Sequence, residues 1–277
     1  MTENLKQETV LVTAATGKTG RRVAERLVAR GVNVRAGSRK GPVLFDWEDE
    51  STWGPALRGA DAAYIAYFPD LAAPGAPEAM RALGRVAAES GVGRLVLLSG
   101  RGEPDAVVAE EALRESGLDL TVVRASFFAQ NFSEGAMYEG VLTGEIPFPA
   151  GETAEPFIDA DDLADVVVAA LIEDGHAGQV HELTGPRLLT FGEVAAEIGR
   201  ASGREVRYVP VSGVEYAEML QQFGFPGPES EWLSGLFTML LDGHNASLTD
   251  GVRRVLGREP KDFTDFAKAA AGGGAWG

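Results

Sequence analysis

The sequence contains no cysteine in 277 residues, which excludes disulfides, thiolate metal ligands and thiol catalysis. Histidine is nearly as scarce: His176, His181 and His244 are dispersed and lack clustered carboxylates, so no metal site is expected. Lysine is missing over a long interval, with none between Lys40 and Lys261. Positive charge is also in deficit, with 25 Lys and Arg against 41 Asp and Glu and a net charge of −16. Binding to a phosphate backbone needs a basic face, so nucleic-acid binding is not expected. Docking on an anionic membrane surface is disfavoured for the same reason. No apolar run approaches the ~20 residues of a membrane span. The first residues, Met1 to Glu8, are polar and carry acids, unlike a signal peptide. The expectation is a cytoplasmic protein acting as a monomer or homodimer.

Against these absences, hydrophobic residues make up 45 % of the chain, enough for a full core. Short apolar runs at 9–12, 32–36, 61–66, 94–99 and 118–124 read as strands. Helical patterns lie near 21–30, 77–90 and 105–116. This alternation predicts parallel βαβ units and a doubly wound α/β sheet of Rossmann type. After Arg124 the pattern loosens. A helix is expected from Asp159-Ala160-Asp161-Asp162 to about Ile172, its carboxylates capping N–H groups at the start. A strand is expected at 180–184. Thr190-Phe191-Gly192-Glu193 reads as a capping box, and 229–242 reads as a helix with one apolar face. The predicted organisation is a dinucleotide-binding domain over 1–155, its sheet completed within 156–190. A smaller, mostly helical substrate lobe follows over 191–277, with 125–150 contributing to its pocket. The small-residue tail from Ala269 to Gly277 is expected to fray.

The stretch Val10-Leu11-Val12-Thr13-Ala14-Ala15-Thr16-Gly17-Lys18-Thr19-Gly20 carries the most chemistry. An apolar strand runs through a small-residue turn into a helix. Such a turn lets backbone approach a pyrophosphate, and the helix start offers N–H groups and partial positive charge. Thr13, Thr16, Gly17, Lys18, Thr19 and Gly20 are therefore expected cofactor contacts. Lys18 lies between the glycines, so this is not a Walker A loop. An NAD site places an acid on the ribose about 20 residues further on. Here that place holds Gly37-Ser38-Arg39-Lys40, two cations and a hydroxyl suited to a 2′-phosphate. NADP(H) is expected in preference to NAD(H), with Ser38, Arg39 and Lys40 as its discriminators.

These segments, with Phe45-Asp46, Leu98-Ser99, the run from Glu110 to Leu118 and Val123-Arg124-Ala125-Ser126-Phe127-Phe128-Ala129-Gln130-Asn131-Phe132, resemble the NmrA-like branch of the atypical short-chain dehydrogenase/reductases. The subgroup with ergot-alkaloid reductases and small quinone reductases is the nearest in pattern. The resemblance runs through about residue 200. Ala14 departs from the usual first glycine, and Ala125-Ser126 from a common Pro-Gly. The resemblance implies that Asp46 and Trp47 border the adenine. It also implies that Ala66, Tyr67 and Phe68 pass the nicotinamide ribose and that Ser99, Gly100 and Arg101 face the nicotinamide.

The Tyr-x-x-x-Lys pair of typical short-chain dehydrogenases is absent: no tyrosine has a lysine four residues on. Hydride transfer still requires only a cofactor held against an acceptor. The expected reaction is NADPH-dependent reduction of a small conjugated, quinonoid or polycyclic aromatic compound, in secondary metabolism. Candidate donors are Ser99, Arg101, Tyr67, Ser126 and His244. Ser99 and Arg101 lead, with Arg101 also able to stabilise an oxyanion. Phe127, Phe128, Phe132, Met137, Trp232, Phe237 and His244 are the expected lining for a flat ligand, although a plain helical core would use many of the same residues. Glu110 and Glu111 read as ordinary helix charges unless one faces the cofactor. The rival reading is a non-catalytic NADP(H) sensor of the NmrA type.

Overall fold

The computed structural model describes residues 8–277. In chain order the first elements are β1 (Thr9–Val12), α1 (Lys18–Ala29), β2 (Asn33–Ser38), β3 (Val43–Leu44), α2 (Trp53–Leu57), β4 (Ala62–Ile65), α3 (Ala76–Glu89), β5 (Arg94–Gly100), α4 (Pro104–Arg114) and β6 (Asp119–Ala125). They are followed by α5 (Asn131–Glu134), α6 (Tyr138–Thr143), β7 (Glu145–Phe148), β8 (Ala154–Glu155), α7 (Ala160–Ile172), β9 (Val180–Leu183), β10 (Leu189–Thr190) and α8 (Phe191–Ser202). The chain ends with β11 (Arg207–Pro210), α9 (Gly213–Gln222), α10 (Gly227–Leu240), α11 (Gly251–Leu256) and α12 (Phe263–Gly272).

Packing divides the chain into two units. The first holds the residues up to Ala125 with Ala160–Leu183 and Gly251–Arg258; the second holds Ser126–Asp159, Thr184–Asp250 and Glu259–Gly277. The divisions at 155 and 191 read from the sequence differ from these. The continuous part of the first unit stops where β6 ends, and α11 returns to it from far along the chain. A side chain at Gly251 would put its Cβ 2.1 Å from the carbonyl oxygen of Glu182, so only glycine allows that return.

The first unit is built on a seven-stranded sheet in the order β3-β2-β1-β4-β5-β6-β9, parallel throughout. Val10–Val12, Ala62–Ile65 and Leu95–Leu97 are wholly buried. Strands covered on both faces need apolar residues at every position, which is why these segments read as unbroken apolar runs. Helix α3 packs on α2 and α4, while α7 packs on β4, β5, β6, α1 and α11. Ten of the 13 residues of α7 are buried. Its acids do more than begin a helix. Asp161 pairs with Arg22 (3.1 Å) and Arg26 (2.9 Å), and Asp165 pairs with Arg26 (2.6 Å) and Arg258 (2.7 Å). Asp162, with no exposed surface, pairs with Arg258 Nη1 at 2.7 Å.

The second unit has two small ladders, β7 parallel to β11 and β8 antiparallel to β10. Helix α8 packs on α12, and α9 on α10. The capping box at Thr190 forms as its sequence requires, and Ser212–Glu215 makes another at the start of α9. The tail is ordered rather than frayed. Trp276 is 2 % exposed and its Nε1 donates to the Phe132 carbonyl at 2.9 Å. One buried indole outweighs the weak packing of the small residues around it.

Candidate active site

In an all-parallel sheet every strand delivers its following loop to the same edge, and the order reverses at β1, which lies between β2 and β4. A crevice at such a reversal is where open α/β sheets hold ligands.

The turn after β1 is closed by backbone. Ala14 has φ 48°, the left-handed region, at the position where a fingerprint would place glycine. Gly17 N donates to the Ala14 carbonyl at 2.8 Å, and Ala15 N to the Gly37 carbonyl at 3.1 Å. A Cβ on Gly20 would lie 2.2 Å from the Ala14 oxygen, so α1 can approach the turn only with glycine there. No side chain caps α1 and its first turn carries no acid. The predicted contact residues divide into two sets. Thr16, Gly17 and Lys18 keep exposed surface, whereas Thr13, Thr19 and Gly20 are buried. Thr13 Oγ1 donates to the Tyr64 carbonyl (3.0 Å) and accepts from Ala66 N (2.9 Å), joining β1 to the end of β4. Thr19 accepts from the Tyr64 hydroxyl at 3.0 Å. Burial raises the Tyr64 phenol well above the ordinary tyrosine range, so it stays protonated. The hydroxyls of Thr13 and Thr19 are thus engaged in the scaffold.

At the end of β2, Ser38 is half-buried, and Arg39 and Lys40 are exposed. Among the described residues neither cation has an ion pair. The Arg39 guanidinium carbon lies 5.8 Å from the centre of the Phe68 ring, which is itself 63 % exposed. Asp46 receives the Glu48 N–H (3.1 Å), and its carbonyl accepts from Trp53 Nε1 (2.7 Å). Trp47 donates through Nε1 to the Ala66 carbonyl (3.1 Å) and packs edge-on against Tyr67 at 4.8 Å. The loop after β3 is therefore fastened across the end of β4. Burial, with the negative charge of Glu78, raises the Tyr67 phenol above its ordinary range.

The ends of β5 and β6 hold an ionic network. Ser99 Oγ donates to Glu110 Oε1 at 2.6 Å, and Arg124 holds the same carboxylate through Nε (2.9 Å) and Nη2 (2.7 Å). Glu110 has no exposed surface. It is no ordinary helix charge, unlike the exposed Glu111, which pairs with Arg114. Arg124 and Arg101 both reach Glu182 of β9, at 3.5 and 3.4 Å. Two expected donors thereby change character: the Ser99 proton is given to a buried carboxylate, and the Arg101 charge is met by Glu182. Ser126 is likewise engaged, donating to the Pro156 carbonyl at 2.6 Å.

Two functional candidates escaped the sequence reading, Asp70 and Glu103. Glu103 precedes Pro104 and occupies the N-cap position of α4, yet its side chain makes no cap. Instead its carboxyl lies over Gly100, where a Cβ would sit 2.0 Å from Glu103 Cδ. It is 7 % exposed, and burial beside the Asp70 carboxyl pushes it up to about 9. The signal available was Gly100-Arg101-Gly102-Glu103-Pro104, an acid bracketed by conformationally special residues.

In the second unit, Phe132 and Phe148 have no exposed surface and Met137 is 5 % exposed. Phe132 packs on Phe157, Phe191 and Phe263 at 5.8–6.1 Å. Phe132 and Met137 therefore belong to the core of this unit, since a ring enclosed by other rings offers no face to a ligand. Phe127, Phe128, Trp232 and Phe237 are half-buried, with Phe127 and Phe237 at 6.1 Å. His244 is exposed on a turn and held by Asp242, which binds both its ring and its backbone N–H.

The described residues contain no group of three or more His, Asp or Glu able to hold a metal ion and no helix long and apolar enough to cross a membrane. The NmrA-like family model matches residues 107–264, well beyond the stretch that carried the resemblance. The chain is 34 % identical to the uncharacterized oxidoreductase YesF of Bacillus subtilis (strain 168), covering 96 % of each. It is 30 % identical to agroclavine dehydrogenase of Claviceps fusiformis over 93 % of this chain and 96 % of that one. The fold is shared with the NADPH-dependent quinone oxidoreductase QOR2 of Escherichia coli, solved with NADPH, at TM-score 0.74 and 21 % identity over 94 % of this chain and 99 % of that one. By its family model and its relatives, this chain belongs to the NmrA-like family, and several of its relatives are named oxidoreductases.

Proposed function

We propose that the protein is an NADPH-dependent reductase of small conjugated, quinonoid or polycyclic aromatic compounds, serving secondary metabolism. The observation that carries this reading is the pairing of an uncapped helix start behind a backbone-closed turn with two exposed cations at the end of the next strand that have no ion pair among the described residues. The turn and α1 would receive the pyrophosphate through Thr16, Gly17 and Lys18. Arg39, its planar fork uncommitted to any carboxylate among the described residues, would take the 2′-phosphate, helped by Ser38 and Lys40. Close approach at Gly20 fits this use, because it brings the first turn of α1 against the end of β1. Asp46 and Trp47 would border the adenine, Ala66, Tyr67 and Phe68 the nicotinamide ribose, and Ser99 and Gly100 the nicotinamide.

The cofactor supplies hydride when bound. The protein's part is to bind, orient and exclude water. Arg101, tied to Glu182, would orient an acceptor oxygen rather than act as a bare charge. Phe127, Phe128, Trp232 and Phe237 retain open ring surface and suit a flat substrate. Names among the relatives support redox chemistry, that of the Claviceps agroclavine dehydrogenase included. The test is incubation with NADPH and a panel of naphthoquinones and anthraquinones, followed by loss of reduced-nicotinamide absorbance. Oxidation with at least one acceptor is expected. Tight NADP(H) binding with no acceptor reduced would instead identify a sensor.

A further inference from the structure

A reductase of this kind needs a proton as well as a hydride, and the usual tyrosine-lysine source is missing. Asp70, on the segment after β4, and Glu103, on the segment after β5, come from adjacent strands of the parallel sheet. Their carboxyl groups lie within hydrogen-bond reach of each other. Two carboxyl groups can make that contact only with a proton between them. Burial raises the Asp70 carboxyl, but the Ala72 N–H on its Oδ1 at 2.8 Å and the contact with Glu103 favour its charged form, which makes Asp70 the better acceptor of the pair and Glu103 the acid. Glu103 Oε2 is buried and receives no donor among the described residues. Because the carboxyl of Glu103 fills the space where Gly100 lacks a side chain, its position is set by the backbone of β5.

We propose that Asp70 and Glu103 form a carboxylate–carboxylic acid pair holding one proton, and that Glu103 is the proton donor of the reduction. This rests on the reading of the chain as a reductase. In the balanced reaction one quinone gains a hydride, supplied as the dihydronicotinamide is oxidised, and one proton, giving a hydroquinone. The O–H bond of Glu103 breaks as the new O–H bond forms on the product oxygen. The pair is then doubly ionised and recovers its proton from water.

The charged groups around the pair fit this role. Glu110 faces Glu103 from α4 and its negative charge disfavours loss of the proton. Glu110 is itself held by Arg124 of β6, and Arg101 on the same loop is directed to Glu182 of β9. Burial is the largest cause of the raised Glu103 value, and the Asp70 charge is the next. An acid in that range stays loaded at neutral pH and unloads as the pH rises through about 9.

Infrared difference spectra of the cofactor-free protein test the shared proton without any turnover. At pH 7 the wild type should show a protonated-carboxyl band that shifts in deuterium oxide and is lost in Glu103→Gln. Asp70→Asn should keep the band but move its disappearance to lower pH, because the negative neighbour is gone; this variant decides the matter if Glu103→Gln does not fold. In the NADPH–naphthoquinone assay, Glu103→Gln should lose about 100-fold in kcat, as expected for general-acid catalysis. Its NADPH affinity should stay within about twofold, there being no charge change on an acid that is already neutral. The wild-type rate should fall above pH 9, and the variant should lose that limb. A band that survives Glu103→Gln, or a variant with wild-type kcat and pH profile, would overturn the proposal. No acceptor reduced by the wild type would remove the reductase reading and the donor role with it, while the band would still report the shared proton.

Discussion

The turn after β1 and the ends of β5 and β6 lie on the same edge of one sheet and are built in opposite ways. The turn is made of backbone. Its closing contacts run among the backbone of Thr13, Ala14, Ala15, Gly17, Gly20 and Gly37. The β5–β6 edge is made of side chains. Asp70, Ser99, Arg101, Glu103, Glu110, Arg124 and Glu182 engage one another in a largely buried network. A backbone-built site can receive a large anion without rearrangement, because its donors are fixed by the fold. A side-chain network fixes protonation states instead, since each buried charge depends on its partner.

Substitutions can break this contrast at its strongest points. Arg124→Met should have the largest effect, because it leaves Glu110 buried with only Ser99 as donor. Breaking a buried pair costs about 3–5 kcal/mol; the partial exposure of Arg124 places the expected loss in urea unfolding near ~3 kcal/mol. An unchanged midpoint would mean that the network is not what holds this edge. Gly20→Ala should cost about 1–3 kcal/mol through overpacking against the Ala14 carbonyl, and should also weaken NADPH. Near wild-type values in both melting and titration would show that α1 can move away freely. Arg39→Ala should leave stability unchanged and weaken NADPH by about 10- to 100-fold, the worth of a charge-assisted contact, with little change for NADH. Equal losses for both cofactors would remove the 2′-phosphate assignment. The smallest effect should come from Ala14→Gly. It relieves a left-handed alanine worth about 1–2 kcal/mol but adds unfolded-state freedom of about 0.4–1 kcal/mol. A net gain of ~0.5 kcal/mol in thermal unfolding would sharpen the view that this turn tolerates strain for its shape.

The same contrast explains what could be read before the fold was seen. Strands β1, β4, β5 and β6 carry their buried character in three or four consecutive residues, so each declared itself locally. The capping box at Thr190 was legible for the same reason. Helices α2, α5, α6, α9, α11 and α12 were not anticipated. Four are only four to six residues long, and the others depend on caps at Asp262 and Ser212 with no strong apolar rhythm to announce them. Tail order was equally hidden, because it turns on one contact between Trp276 and the Phe132 carbonyl, 144 residues away.

Sequence alone determined the parallel sheet, the glycine turn and the two cations without an acid beside them. Those features follow from steric rules and charge counts within a few neighbouring residues. Only the tertiary structure decided which polar side chains are left for chemistry. It gave the Ser99 proton to Glu110 and the Arg101 charge to Glu182, drew Phe132 into a core, and set Glu103 against Asp70. The reason is that protonation and pairing depend on groups brought together across the sheet, at separations no local pattern records.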